Sequence, residues 1–184
     1  MAKQYPSLND DLSDFIRRQK IFFTATAAKD CRINLSPRST DCFRVIDENT
    51  VVYHDKTGSS NETAAHIKED GRITIMFCAF DGPPKILRLY GKGEVLHRNS
   101  HEYKAILEKN FDNQTYAGAR QIIRLKCDLV QTSCGFGVPL FDYQDDRDNL
   151  DRWAEKQGPE GIKDYWQRKN LTSMDGLPSG IFDE

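Results

Sequence analysis

The chain of 184 residues carries 26 Lys and Arg against 28 Asp and Glu, a formal net charge of -2, and 38% of its residues are hydrophobic. This composition suits one folded domain with a packed core and excludes disorder of the whole chain. The balanced charge gives no electrostatic reason to expect nucleic acid or a membrane surface as a partner.

The first half of the chain predicts one helix and four strands. Apolar residues at helical spacing between Leu8 and Ile16 indicate a helix that Ser7 can cap. β-Branched and aromatic residues then predict strands at 21–27, 32–36, 42–46 and 50–55. Pro37 is expected to end the second of these strands, and the turn composition of residues 47–49 joins the last two as a hairpin.

The second half of the chain mixes strands and helices less regularly. Helical spacing follows Gly58 and stops at Gly71, and a short helix begins at Asn99 or Ser100 and runs to about Lys109. Strands are predicted at 72–80, 85–97 and 123–129. The last segment predicts two helices that carry tryptophan, followed by a tail with Gly and Pro.

Together these elements predict an α+β fold built on an antiparallel barrel. About seven strands with short turns favour a closed barrel with flanking helices and a helical C-terminal extension. A Rossmann sheet is not expected, because strands and helices do not alternate regularly and the GxGxxG motif is absent. We expect a single domain over residues 1–184, with the barrel core at 1–140 and the helical extension and tail at 141–184.

Polar side chains are concentrated between Tyr53 and Thr63, where a predicted strand leads into a predicted helix. Unpaired backbone N–H groups and the positive end of the helix dipole meet at such a point, which suits it to bind an anion. A second interpretation is that Ser59 and Glu62 form a capping box and have no other role. The capping box does not explain the other hydroxyl and amide side chains of the segment.

The order of elements from about Asp14 to Leu129 resembles the pyridoxamine 5'-phosphate oxidase-like superfamily of FMN-binding split barrels. The segments that carry the resemblance are Arg32–Ser36, Tyr53–Asn61, Gly71–Phe77 and Arg88–Gly93. The resemblance implies a split barrel that assembles as a homodimer, with FMN bound in a cleft between the subunits.

The resemblance also implies which residues contact FMN. Along the isoalloxazine ring it places Arg32, Ile33, Asn34, Leu35 and Ser36. In the segment that holds the phosphate it places Tyr53, Thr57, Ser59, Ser60 and Asn61. Arg88 is expected either to face the phosphate or the pyrimidine edge of the flavin, or to form an ion pair on a neighbouring strand.

Two positions depart from the oxidases that give the superfamily its name. Ser60 and Asn61 stand where those enzymes have Arg and Lys, and charge-assisted contacts are about twice as strong as neutral ones. Candidates to replace the missing cations are Arg38, Lys56 and Arg88. The tail also differs from the segment that grips pyridoxal phosphate in the oxidases, so we expect negligible oxidation of pyridoxamine 5'-phosphate.

The sequence identifies no general acid, general base or metal site, so the catalytic residues are unknown. Five scattered cysteines and four histidines without HExxH spacing predict neither a disulfide framework nor a metal. Gly135 and Gly137, on either side of Phe136, either let the backbone approach a ligand or form a bend that leaves the barrel. We expect a cytoplasmic protein, because no apolar leader or membrane-spanning run is visible.

The leading hypothesis from the sequence is therefore a homodimeric FMN-binding oxidoreductase of unknown substrate, in which the cofactor does the redox chemistry. The alternative is a non-catalytic module that binds FMN, haem or a pyridoxal-type ligand. Flavin absorbance of the purified protein, followed by a turnover assay, would separate the two hypotheses.

Overall fold

In the computed structural model, which describes residues 2–183, eight strands form one antiparallel sheet and four α-helices accompany it. The strands are β1 (Lys3–Tyr5), β2 (Ile21–Thr26), β3 (Asn34–Ser39), β4 (Phe43–Asp47), β5 (Thr50–Lys56), β6 (Arg72–Cys78), β7 (Ile86–His97) and β8 (Ala119–Ser133). The helices are α1 (Asp10–Arg18), α2 (Glu62–Glu69), α3 (His101–Phe111) and α4 (Asn149–Lys169). None of these helices is long and apolar enough to cross a bilayer.

The strands follow the order β3-β2-β6-β7-β8-β5-β4, and β1 pairs with β8 beside this path. The register between β7 and β8 shifts at Gly91, where a Cβ would lie 2.0 Å from the carbonyl oxygen of Lys126. Such a shift bends a sheet, and only glycine permits so close an approach. The predicted α+β split-barrel fold is confirmed, but the barrel is a curled half and not closed. No pairing among the described strands joins β3 to β4.

An aromatic cluster fills the concave side of this sheet. Phe22 contacts Phe43 and Tyr53 with ring centroids 5.0 and 5.3 Å apart, and Phe43 meets Phe77 at 5.2 Å in edge-to-face geometry. All four rings are buried, and edge-to-face pairs of this kind stabilise a core beyond the area that they bury. This cluster packs behind β2 and β5 and so supports the edge strand β3, which pairs with β2, and the end of β5.

Three predicted boundaries are wrong for identifiable reasons. The first helix is capped by Asn9, whose Oδ1 accepts from the N–H of Leu12 over 2.9 Å, and not by Ser7. Strand β3 continues through Pro37 to Ser39, because an edge strand tolerates a residue that cannot donate to a neighbour. Strand β8 has 15 residues, roughly twice the predicted length, because it pairs with β7, β5 and β1 at different points.

The two helices predicted for the C-terminal extension are the two halves of α4. They meet at Gly158, which has a φ of 65° and stands directly before Pro159. The second half of α4 buries Ile162 and Trp166 together with Ile181 from the tail. This packing brings the extension against the edge of the sheet at the end of β5.

Candidate functional site

A cavity of about 350 Å³ lies between the edge strand β3, the end of β5 and the segment that leads into α2. We call it the Arg38 cavity, and we call residues Thr57–Asn61 the polar turn. The walls of the Arg38 cavity include Ser36 from the predicted ring segment and Thr57, Ser59 and Ser60 from the predicted phosphate segment. The fold therefore brings together parts of two segments that are about twenty residues apart in the chain.

The charges that line the Arg38 cavity are mostly positive. They comprise four cationic side chains, Arg38, Lys56, Arg120 and Arg147, and two carboxylates, Asp41 and Asp151. The Lys56 ammonium lies 3.1 Å from Asp151 and 3.3 Å from Asp41. Burial opposes the charge on Lys56, but these two carboxylates outweigh it and raise the pKa of the amine. Lys56 therefore stays charged at the mouth of the cavity.

Asp55 lies behind the cavity and organises two of its cations. Arg120 Nε donates to Asp55 Oδ2 over 2.7 Å, and Arg38 Nη1 lies 2.7 Å from Asp55 Oδ1. Burial alone would raise the pKa of the Asp55 carboxyl, but the charges of Arg120 and Arg38 outweigh it and lower the pKa below its usual value. One carboxylate shared by two guanidinium groups leaves a net positive charge that faces the cavity.

Two carbonyl groups of the polar turn are held by side chains of the protein. Gly58 O accepts from Asn170 Nδ2 over 3.2 Å, and Ser60 O accepts from Arg120 Nη1 over 2.7 Å. Within residues 2–183, no protein oxygen accepts from the N–H groups of Gly58, Ser59 or Ser60. These donors stand at the positive end of the α2 dipole and beside the exposed hydroxyl groups of the turn, which is favourable for an anion.

The alternative interpretation of this segment, a capping box between Ser59 and Glu62, is wrong. Helix α2 begins at Glu62, so Asn61 and not Ser59 occupies the N-cap position, and its side chain makes no capping bond. The Glu62 carboxylate instead accepts from the N–H of Met174 in the C-terminal tail over 2.9 Å. Asn61 is fully buried and accepts from Gln121 Nε2 over 2.9 Å, and it does not line the cavity.

The predicted ring segment has one face toward the protein and one toward solvent. Asn34 donates to Thr26 Oγ1 over 3.1 Å and accepts from the Ser36 hydroxyl over 3.2 Å, so it orients its neighbours. Ile33 and Leu35 point outward and are 77% and 66% exposed. Because β3 ends the strand order, one edge of its backbone pairs with no other described strand.

Arg32, Tyr53 and Arg88 do not reach the Arg38 cavity. Arg32 is exposed and forms an ion pair with Asp175 of the tail. Tyr53 is a core residue whose ring lies 4.9 Å from the Arg38 guanidinium, and burial raises the pKa of its hydroxyl to about 12. Arg88 donates to the Ser133 hydroxyl over 3.1 Å, a partner that neither sequence-based interpretation named.

The sequence analysis missed three contributors to the site. Arg120 stands just before the predicted strand at 123–129, outside its alternating pattern, and only the longer β8 includes it. Arg147 and Asn170 belong to the C-terminal extension, for which no role at the cofactor site was predicted. One sequence signal could have identified Arg120: it is a charged residue next to a buried strand, and a buried charge requires a partner of opposite charge.

A larger cavity of about 950 Å³ adjoins the Arg38 cavity and shares Arg38, Lys56 and Arg147 with it. One wall is the segment 141–148, in which Phe141 packs against Phe80 at a centroid distance of 5.3 Å. The two cavities together form a cleft beside β3, whose residues Pro37, Arg38 and Ser39 line both of them.

A family model and a curated relative place this chain in the same protein family. The family model described as "Pyridoxamine 5'-phosphate oxidase" matches residues 8–134. The "Pyridoxamine 5'-phosphate oxidase family protein ustO" of Aspergillus flavus is 39% identical over 190 residues, which cover 95% of this chain and 76% of that protein.

Solved structures with the same fold are more distant in sequence. The HupZ protein of Group A Streptococcus aligns with a TM-score of 0.53 and 19% identity, over 66% of this chain and 91% of that one. A putative pyridoxamine 5'-phosphate oxidase from Lactobacillus delbrueckii aligns with a TM-score of 0.54 and 19% identity, over 68% of this chain and 94% of that one. At these identities the likeness extends to the fold alone.

Proposed function

Since this chain belongs to the pyridoxamine 5'-phosphate oxidase family, we propose that it is an FMN-dependent oxidoreductase whose cofactor phosphate lies in the Arg38 cavity. The observation that carries the proposal is the polar turn, where free N–H groups and two exposed hydroxyl groups meet four cationic side chains. A phosphate monoester is a dianion with several strong acceptor oxygens, and donors of this kind and number suit it.

Arg38 and Lys56 are the cations that replace the Arg and Lys absent at positions 60 and 61. Both line the same cavity as Ser59 and Ser60 of the turn. Arg88 is not a replacement, because it lies on β7 and binds Ser133. The phosphate site of this chain thus keeps its positive charge but draws it from strands β3 and β5.

The isoalloxazine ring would lie along the free edge of β3, where the backbone offers unpaired donors and acceptors to the pyrimidine edge. Ser36 lines the cavity at the start of this path. A second copy of the chain would cover the exposed Ile33 and Leu35 and complete the cleft as a homodimer. FMN, when bound, supplies the redox chemistry, and the residues described here bind and orient it.

His54 is not proposed as a catalytic acid or base at neutral pH. His54 borders the Arg38 cavity, but burial lowers the pKa of its imidazole to about 4. We propose that the substrate binds in the adjoining cavity of about 950 Å³, where it would exchange a hydride or electrons with the flavin. Pyridoxamine 5'-phosphate is not the proposed substrate, because the tail is engaged with the polar turn and with Arg32.

Titration with FMN and with riboflavin, which lacks the phosphate, tests this proposal through quenching of flavin fluorescence. The wild type is expected to bind FMN more tightly than riboflavin. Lys56→Gln should weaken FMN by about tenfold, equivalent to ~1.4 kcal/mol, and leave riboflavin unchanged. Lys92→Gln, an exposed lysine whose amine donates to Asp70 O, is the matched control and should change neither affinity.

Failure of the wild type to bind FMN would contradict the proposed cofactor. Equal affinity for FMN and riboflavin would contradict the position of the phosphate in the Arg38 cavity. Flavin binding without reduction by any donor would favour the non-catalytic module over the oxidoreductase.

A further inference from the structure

Two side chains of the C-terminal extension contact the polar turn from its buried side. Trp166 Nε1 donates to Thr57 Oγ1 over 2.7 Å, and Asn170 Nδ2 donates to Gly58 O over 3.2 Å. Trp166 is 7% exposed and Asn170 is fully buried, so the bond to Thr57 is buried and the bond to Gly58 is partly buried. Buried hydrogen bonds fix a backbone more firmly than exposed ones, because a broken bond leaves an unsatisfied group.

Asn170 also holds the arginine that fixes the other end of the turn. Its Oδ1 accepts from Arg120 Nη1 over 2.9 Å, and the same nitrogen of Arg120 donates to Ser60 O over 2.7 Å. The amide therefore uses its acceptor on Arg120 and its donor on Gly58, a combination that neither a carboxylate nor an apolar side chain reproduces.

The same arrangement uses the only proton of the Thr57 hydroxyl. The hydroxyl donates this proton to Gly118 O, and it accepts from the Trp166 indole. With no proton left to donate, Thr57 is a support of the turn and not a donor to phosphate. This differs from the role that the family resemblance implies for Thr57.

We propose that Trp166 and Asn170 are positioning residues of the cofactor phosphate site. By holding the hydroxyl of Thr57 and the carbonyl of Gly58 on the buried side, they turn the Ser59 N–H, which points the opposite way from that carbonyl in the same trans peptide, toward the Arg38 cavity. The inference rests on the proposed function. It assigns a role to a segment beyond residue 134, where the match to the family model ends.

The ratio of riboflavin to FMN dissociation constants measures the contribution of the phosphate site separately from that of the ring site. Trp166→Phe keeps an aromatic ring and removes only the N–H donor, and Asn170→Ala removes the bonds to Gly58 and Arg120. Trp166→Phe is expected to lower this ratio by about three- to tenfold, the range for one lost hydrogen bond, and Asn170→Ala, which loses two, by at least as much, while riboflavin affinity is unchanged. Trp153→Phe on the same helix is the matched control, because Trp153 packs against Tyr165 and not against the turn.

The outcomes separate this inference from the proposed function. A wild type that binds neither flavin overturns the proposed function, and this inference with it. A wild type that prefers FMN, with an unchanged ratio in both Trp166→Phe and Asn170→Ala, overturns this inference alone. An equal loss of FMN and riboflavin affinity overturns it too, because that result shows general destabilisation and no role at the phosphate.

Discussion

Arg120 donates from Nε to Asp55 Oδ2 over 2.7 Å, and the two side chains are 4% and 0% exposed. A β-bulge makes this pair possible. Asp55 pairs with Gln121 and Lys56 pairs with Ala119, so Arg120 is an extra residue on β8 without a partner on β5. The bulge turns the Arg120 side chain toward Asp55, to which Gln121 Nε2 also donates. In a regular strand the side chains of the neighbours Arg120 and Gln121 would point to opposite faces of the sheet.

Removal of Arg120 should destabilise the apo-protein strongly. Arg120→Met leaves the buried Asp55 with one guanidinium instead of two, and breaking a buried ion pair costs about 3–5 kcal/mol of unfolding free energy. Arg72→Met is the control, because Arg72 forms an exposed pair with Asp70 and its removal should change stability little. Urea unfolding of both variants measures the difference, and equal effects would contradict the structural role of Arg120.

Asn61→Ala should lower the stability of the protein, whereas Ser59→Ala should lower its affinity for FMN. Asn61 is the buried acceptor for Gln121, so its loss should lower the unfolding free energy by about 1–3 kcal/mol and change the preference for FMN over riboflavin little. Ser59 is exposed and is not the N-cap, so its loss should keep stability and weaken FMN. Melting temperatures and flavin titrations of the two variants decide this, and weakened FMN binding by a fully stable Asn61→Ala would contradict it.

The sequence predicted the fold well where hydrophobic pattern alone determines structure. The strands that became β5, β6 and β7 were predicted within a few residues, because their buried faces require apolar side chains. The boundaries of β3 and of α2 were wrong, because an edge strand can contain Pro37 and because tertiary contacts engage Glu62. No local pattern contains the information that the tail supplies the partner of Glu62.

Only part of the candidate site could be predicted from the sequence. Ser36, Ser59 and Ser60 line one cavity, because the fold brings the edge strand β3 next to the polar turn, and their contact with FMN stays a prediction. Asn61 points into the protein because the end of the turn rotates its side chain toward Gln121, which sequence position does not show. Arg120 was missed because a one-residue bulge decides where its side chain points.

A homodimer is expected, and the exposed edge strand β3 is the surface that should carry it. Leu35 is 66% exposed on this edge, and a charge there should oppose burial in an interface. Sedimentation at micromolar concentration should give a dimer for the wild type and a shift toward monomer for Leu35→Glu. Leu171→Glu, at an exposed leucine of the tail, is the control and should remain dimeric. A monomeric wild type would count against both the dimer and a complete flavin site.

His54 should make the stability of the protein fall as the pH falls below about 6.5. The ring is buried, stacks on Phe111 at 4.9 Å, and its Nε2 lies 3.1 Å from the Tyr103 hydroxyl. Burial, assisted by the charge of Arg98, lowers the pKa of the imidazole to about 4, whereas an unfolded histidine titrates near 6.5.

Above about pH 6.5 both states hold a neutral His54, and its contribution to stability is fully present. Between about pH 6.5 and 4 the unfolded chain binds a proton that the folded protein does not, so the unfolding free energy should drop by on the order of 3 kcal/mol. Urea unfolding at pH 7.5 and 4.5 should show this drop for the wild type and a smaller one for His54→Phe. The pKa of His97 is also lowered by burial, but His97 is present in both proteins and cancels in the comparison. An equal drop in the two proteins would mean that His54 is protonated in the folded state and that its cluster with Tyr103 and Phe111 is open to water.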